Sequence, residues 1–352
     1  MTVASDIRIG TRLIGPDRPM YVIAELSANH AHRLDRAVEL IRIAADCGAD
    51  AVKLQTYTPE SMTLDSDRPE YLVGGGTLWD GRTLHDLYAE AMTPWEWHAD
   101  LQQAARELDL DLFSTPFDAS AVDFLDDLGT PVFKVASFEL VDLELIRYAA
   151  SKKRPLIMST GMATTAEIDD AVAAAHEGGA TEIALLRCNS SYPASPEEMD
   201  LVTITDMQAR WQVPVGLSDH TLTPVAALVA LGLGACILEK HLTLDRSDGG
   251  PDSAFSLEPA EFRELVSQLR EAEASRGHVR YGPSPAETKS LAFRRSLIVV
   301  KDVLRGATIT ADDVRALRPA HGMAPKHLPE VIGRIAARDL QRGEPLQPDM
   351  LA

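Results

Sequence analysis

The chain has 352 residues, too many for one small domain and enough for a large domain with an appendage. Hydrophobic residues make up 45% and charged residues 25%, a globular composition that argues against disorder. The formal net charge of −19 is the wrong sign for a nucleic-acid binder, and no apolar run approaches the roughly 20 residues that span a bilayer. Residues 1–10 are mixed and polar, without the apolar stretch of a signal peptide. Cys47, Cys188 and Cys236 are widely spaced in apolar sequence and read as buried free thiols. A reducing cytoplasm is the expected setting.

In chain order, residues 21–26 read as a strand and 34–47 as a helix ended by Gly48. Residues 51–57 form the next strand. After an irregular insertion, 94–107 reads as a helix with Pro94 in its first turn. Strands then follow at 110–114, 132–136, 156–159, 182–187, 213–216 and 236–240. Helices alternate with them at 119–128, 143–151, 166–177, 203–211, 224–231 and 259–275. Eight strand–helix units in roughly 260 residues match a (β/α)8 TIM barrel, a class of α/β fold. The strands are apolar on both faces, as expected where helices cover the outside. An open doubly wound sheet is the alternative, but polar residues follow nearly every strand, which favours the barrel.

Residues 58–91 form a long loop, expected to be a lid or to carry small elements. The predicted division is a barrel over 1–276, a linker over 277–290 and a small α+β domain over 291–352. In that domain 297–300 is strand-like, Arg305–Gly306 a turn, 310–313 the start of a short helix, and 334–340 strand-like.

A barrel places its active site at the C-terminal ends of its strands. The residues there include Glu25, Lys53, Gln55, Thr115, Lys134, Ser137, Glu139, Ser159, Asn189, Ser190, Tyr192, Ser218, His220, Glu239 and His241. Two lysines among hydroxyls suit a phosphate or carboxylate. Two histidines after neighbouring strands, with Glu25 across the barrel, suit a divalent metal with open positions. Glu25 and Glu139 are candidates for acid–base work.

Each residue also has an ordinary structural explanation. A strand lysine is often a surface ion pair, but Lys53 and Lys134 both sit among apolar neighbours that turn them inward. Either histidine alone would more often be structural; the two together favour a shared metal. His85 and His98 read as loop or helix-surface residues, and Asp118 as a helix cap.

These motifs resemble the sialic acid synthase family. They are Ala-Glu-Leu-Ser-Ala-Asn-His (24–30), Lys-Leu-Gln-Thr-Tyr (53–57), Ser-Thr-Pro-Phe-Asp (114–118) and Lys-Val-Ala-Ser-Phe-Glu (134–139). Ser-Thr-Gly-Met (159–162), Leu-Ser-Asp-His-Thr (217–221), Glu-Lys-His-Leu-Thr-Leu (239–244), Gly-Gly-Pro-Asp-Ser (249–253) and Phe-Ser-Leu-Glu-Pro (255–259) continue the series. The tail from about 291, with Arg318–Pro319, resembles the family's antifreeze-like (SAF) domain. Leu78 to Thr83 and Thr93 to His98 are similar to the pseudaminic acid synthase branch.

The resemblance implies condensation of phosphoenolpyruvate with an amino-sugar aldehyde, releasing phosphate. For the pseudaminate branch the sugar is 2,4-diacetamido-2,4,6-trideoxy-L-altrose. It implies Mn or Mg on His220 and His241, and phosphoenolpyruvate on Lys53, Thr115, Lys134, Ser137, Ser159, Ser218 and either Asn189 or Ser190. Gln55, Tyr192 and Asp252 would meet the sugar, with Glu25 and Glu139 beside it or moving protons. Arg318 would reach the other subunit's site in a domain-swapped homodimer. No nucleic-acid or membrane partner is implied. The usual Arg-Pro-Gly of the tail here reads Arg-Pro-Ala-His-Gly, which leaves the reach of Arg318 open. The alternatives are an N-acetylneuraminate or legionaminate synthase, a Schiff-base barrel aldolase using Lys53 or Lys134, and a non-catalytic sugar-binding protein.

Overall fold

The computed structural model describes residues 5–352; the first four residues of the polar 1–10 stretch lie outside the described residues. The chain divides into two compact units, one reaching to Gly277 and the other running from His278 to Ala352. Among the described residues, no helix is long and apolar enough to cross a membrane.

The first unit is a closed barrel of eight parallel strands. In chain order they are Tyr21–Glu25, Ala51–Thr56, Asp111–Pro116, Phe133–Val135, Leu156–Ser159, Ile183–Cys188, Val215–Asp219 and Ile237–His241. The eighth strand closes on the first, with His241 opposite Glu25. Most strand boundaries lie within two residues of the sequence expectation.

The helices outside the barrel follow from local sequence. In Leu34–Asp46 the residues Ala37, Leu40, Ile41 and Ala44 form the single apolar stripe that packs on the sheet. Thr164 and Glu167 make a capping box at the start of Thr165–Gly178, and Gly179 ends that helix in a left-handed conformation. Asp118 caps Ala119–Asp127 by accepting the Ser120 and Ala121 N–H groups, as its position suggested.

Several expectations need correction. Residues 94–97 are not α-helical. Trp95–Trp97 form a tight 3-10 turn, and the α-helix begins at His98 and ends at Glu107. His98 is fully buried rather than on the helix surface; its Nε2 lies 2.7 Å from Thr56 Oγ1. The long loop carries two short helices, Pro59–Met62 and Leu84–Ala91.

An N-terminal hairpin, Ile7–Ile9 with Arg12–Ile14, was not anticipated. Its Ile7, Ile9 and Ile14 pack with Tyr21, Ile23, Phe113, Ile157 and Ile237 inside the lower half of the barrel. Arg12 donates to Asp111, which also accepts the Tyr21 hydroxyl at 2.9 Å. The hairpin thereby closes the barrel floor and leaves the C-terminal end as the open mouth.

The second unit has its own core of Leu297, Val299, Ile309, Val314, Val331, Leu340 and Leu346. Strands Ser296–Val299 and Val314–Leu317 pair antiparallel. Residues 310–313 form a turn rather than a helix start: Asp313 accepts the Thr310 N–H and hydroxyl and directs the chain into the second strand. Residues 334–340 are not a continuous strand. Ile335 and Leu340 make isolated antiparallel bridges to Thr308 and Val303, in one register, and Ala336 bridges to Leu351.

Ile9→Ala should lower unfolding free energy by about 2–5 kcal/mol, measured by urea denaturation of the full chain. A loss well under 1 kcal/mol would mean that the hairpin does not seal the barrel floor.

Candidate active site

Strand alternation aims one side chain in two at the barrel axis. Near the mouth this brings Lys53, Lys134 and Glu239 into the interior, where all three are buried. Lys53 makes an ion pair with Glu25 and lies 3.5 Å from Glu239 Oε1. Its ammonium also donates to Thr115 Oγ1 at 3.3 Å. Lys134 donates to Ser159 Oγ at 2.7 Å and lies 3.9 Å from Glu239 Oε2. Ser218 donates to Glu239 Oε1 at 3.2 Å. Glu239 therefore joins the two lysines, and it was not among the residues singled out as a ligand or catalyst. The period of two placed it on the face of His241, so the signal was present.

The charges of this group are coupled. Burial and the negative charge of Glu239 push the Glu25 carboxyl up to about 7 against the pull of Lys53. Burial alone would push Lys53 down, but Glu239 and Glu25 hold its ammonium above the usual lysine range. Burial lowers Lys134. Burial would raise Glu239 too, but the two lysines keep it below the ordinary carboxylate value. Glu239 and Lys53 are thus the firmly charged members, and Glu25 is the one poised to exchange a proton.

A second cluster surrounds the histidines. The rings of His220 and His241 lie 5.3 Å apart. His220 Nδ1 donates to the Asn189 carbonyl at 2.8 Å, so in the neutral ring the lone pair lies on Nε2. His241 Nδ1 is buried with no hydrogen-bond partner. Burial, with His220, Lys53 and Lys240 nearby, depresses His241 well below the ordinary range, so its ring stays neutral. Among the described residues no cluster of three or more His, Cys, Asp or Glu side chains is gathered to hold a metal. The donor set fits a divalent ion held by two imidazoles, its remaining positions open to water and substrate.

The other predicted residues divide into those that converge and those that do not. Ser137 Oγ accepts the Gly161 N–H at 3.1 Å. A Cβ at Gly161 would strike both Ser137 Oγ and Ser190 Oγ, so these two hydroxyls crowd the backbone after the fifth strand. The Asn189 side chain does not join them. Its amide donates to Glu198 O and accepts from Ser191 N, which spends it within its own loop. Of the two alternatives left open by the sequence, Ser190 is the one whose hydroxyl lies beside that of Ser137. Glu139 places a buried Oε2 without a hydrogen-bond partner, and burial pushes its carboxyl up to about 7. Gln55 donates to Ser27 Oγ at 3.0 Å, and Ser27 in turn bonds Asp252. Arg318 is exposed in the second unit, just after strand Val314–Leu317.

Aromatic rings wall the histidine side of the mouth, and sequence reading found only one of them. Tyr192 lies 4.5 Å from the His220 ring and 4.8 Å from Phe255. Phe255 lies 4.9 Å from His241. Trp79, from the long loop, meets Tyr192 and Phe255 edge-on, and its indole N–H donates to Pro251 O at 2.8 Å. Cys188 is a buried free thiol, as expected, but its sulfur lies 4.0 Å from His220 Nδ1.

The geometry offers one barrel mouth with a cationic floor, a pair of imidazoles and two carboxyls that titrate near neutrality. That combination can bind an anion, polarise a carbonyl and move protons.

Comparison with known proteins agrees over nearly the whole chain. The NeuB family model matches residues 40–281, and the SAF domain model matches residues 294–352. The chain is 41% identical over 334 residues to pseudaminic acid synthase of Helicobacter pylori, covering 94% of this chain and 98% of that protein. It is 39% identical over 331 residues to pseudaminic acid synthase of Campylobacter jejuni, covering 94% and 96%. A solved N-acetylneuraminic acid synthetase from Leptospira borgpetersenii superposes with a TM-score of 0.73 at 29% identity, covering 82% of this chain and 95% of that one. The chain belongs to the NeuB family, its barrel followed by a SAF domain.

Proposed function

We propose that this chain is a pseudaminic acid synthase. It condenses phosphoenolpyruvate with 2,4-diacetamido-2,4,6-trideoxy-L-altrose and releases phosphate. The observation that carries this reading is the pair of buried lysines, Lys53 and Lys134, converging beside the His220–His241 pair at one barrel mouth. The similarity to two pseudaminic acid synthases supports the choice of sugar.

Lys53 and Lys134 take the charges of phosphoenolpyruvate, with Thr115, Ser137, Ser159, Ser190 and Ser218 as hydroxyl partners. Charge-assisted bonds in a dry site are strong enough to hold a small trianion. Gln55, Tyr192 and Asp252 orient the sugar. His220 and His241 would hold Mn or Mg, which when bound supplies a Lewis acid for the sugar's aldehyde oxygen. Carbon 3 of phosphoenolpyruvate forms a bond to the aldehyde carbon, water adds at carbon 2, and the carbon–oxygen bond to phosphate breaks. Glu25 and Glu139, both titrating near 7, move the protons of those steps. Arg318 serves the site of a second copy in a homodimer. A biosynthetic enzyme using phosphoenolpyruvate works in the cytoplasm, where that metabolite is made.

Phosphate release should require phosphoenolpyruvate, a divalent metal and the altrose sugar together. Turnover with N-acetylmannosamine in its place would overturn the choice of sugar. Activity that survives EDTA, with borohydride trapping of the substrate, would favour a Schiff-base lysine instead.

In the same assay Lys134→Ala should raise KM for phosphoenolpyruvate about 10–150-fold, the weight of one charged hydrogen bond. Arg318→Ala should raise KM for the sugar and leave that for phosphoenolpyruvate within about twofold. The opposite pattern would reverse the two assignments.

Glu139 gives a prediction with a sign. Burial raises its carboxyl from 4.5 to about 7. A group that holds its proton more tightly when folded loses folding stability as pH rises through that interval. Glu139→Gln should therefore match the parent at pH 4 and exceed it at pH 8 by about 3 kcal/mol at most, read from urea unfolding. Its kcat should fall about 100–10,000-fold. A stability difference that ignores pH, or an unchanged kcat, would remove Glu139 from the proton-transfer role.

A further inference from the structure

Lys240 and Asp219 form another buried ion pair, on the strand faces opposite those of the histidines. Asp219 precedes His220 and Lys240 precedes His241, so the alternation that turns each histidine inward turns its neighbour outward. Lys240 Nζ lies 2.7 Å from Asp219 Oδ2, and the two side chains are 1% and 0% exposed. The Cα atoms of the two residues are register partners on the seventh and eighth strands.

The ammonium has two further acceptors. It donates to the Thr221 carbonyl, and Thr221 Oγ1 lies 3.5 Å away. Asp219 Oδ1 accepts the Thr221 N–H at 2.9 Å. The residues on both sides of His220 are therefore tied to one side chain, and that side chain is rooted in the residue before His241. From the far side, the His220 ring is fixed by the Asn189 carbonyl.

Stability alone is a weak reason for this arrangement. Two charges this deep recover their desolvation cost poorly, and well-packed apolar residues of similar volume often serve a core as well or better. What an ion pair adds over apolar packing is direction. It sets where the backbone of one strand end lies relative to the other. A chelate of two imidazoles on separate strands depends on that relation, because ligands displaced by a fraction of an ångström bind poorly.

We propose that the Asp219–Lys240 pair positions His220 and His241 for a shared divalent cation. Neither residue touches the ion; both act through the backbone that carries the ligands. This inference rests on the reading of the two histidines as metal ligands.

The test is calorimetric titration of the full chain with Mn²⁺, without substrate. The double variant Asp219→Leu with Lys240→Met removes both charges, so neither is left unpaired. It should melt close to the parent and bind Mn²⁺ about 10–100-fold more weakly. A double variant that keeps the parent's affinity would overturn the proposal, whatever its melting temperature. If that variant does not fold, Lys240→Arg keeps the charge but puts a wider, planar group where a compact ammonium sits between Asp219 and Thr221. It should show weakened Mn²⁺ binding in a folded chain, and unchanged binding would again overturn the proposal. His220→Ala separates the two levels of the argument. If it binds Mn²⁺ as well as the parent, the metal reading itself fails and the positioning role falls with it.

Discussion

Two ammonium groups and two carboxylates share the dry interior of one barrel mouth, and neither kind can remain there without the other. Lys53 and Lys134 would each lose several kcal/mol of hydration if buried alone. Glu239 lies within 4 Å of both and Glu25 pairs with the first. The carboxylates offset most of the ammonium charge, which is why an acidic protein can hold two lysines in its core. Glu25, pushed up to about 7, can change its protonation near neutral pH and so adjust that balance.

The rest of the fold keeps this group in place and keeps water away from all but one side. Parallel strands hold Glu25 beside Lys53 and His241 beside Glu25 by register rather than by flexible loops. The N-terminal hairpin fills the opposite end with isoleucine, so the mouth is the open end. Trp79, Tyr192 and Phe255 wall the histidine side with apolar faces. Sites built on strand ends are more rigid than sites on loops, and the loops are left to supply hydroxyls and rings.

Much of the architecture was legible because a barrel strand covered by helices is a short apolar run with a polar residue at its end. That signal repeats eight times and tolerates errors of a residue or two at each boundary. It failed where pairing is short or irregular. The three-residue strands of the hairpin have no run to detect. Residues 334–340 pair only through isolated bridges, two to the segment holding Val303 and Thr308 and one to Leu351, so no continuous ladder forms. His98 follows two tryptophans and a proline, a context that reads as a helix start at the surface. It is the packing of Thr56 and Phe124 around it that buries it.

The candidate site shows the same division. By itself, the sequence determined which strand residues face the barrel interior, because alternation along a strand is a property of local backbone geometry. It also determined the family, because the motifs occur in order along nearly the whole chain. Tertiary structure decided how those residues are wired. Glu239 bridges the lysines because two strands far apart in sequence face it across the barrel. The Asn189 side chain turns back into its own loop, and Ser190 takes the position beside Ser137. Lys240 ties down both sides of His220 because strand register sets it beside Asp219. Such partnerships depend on distances of 3 to 4 Å between residues remote along the chain. Those distances are set only when the strands close into a barrel.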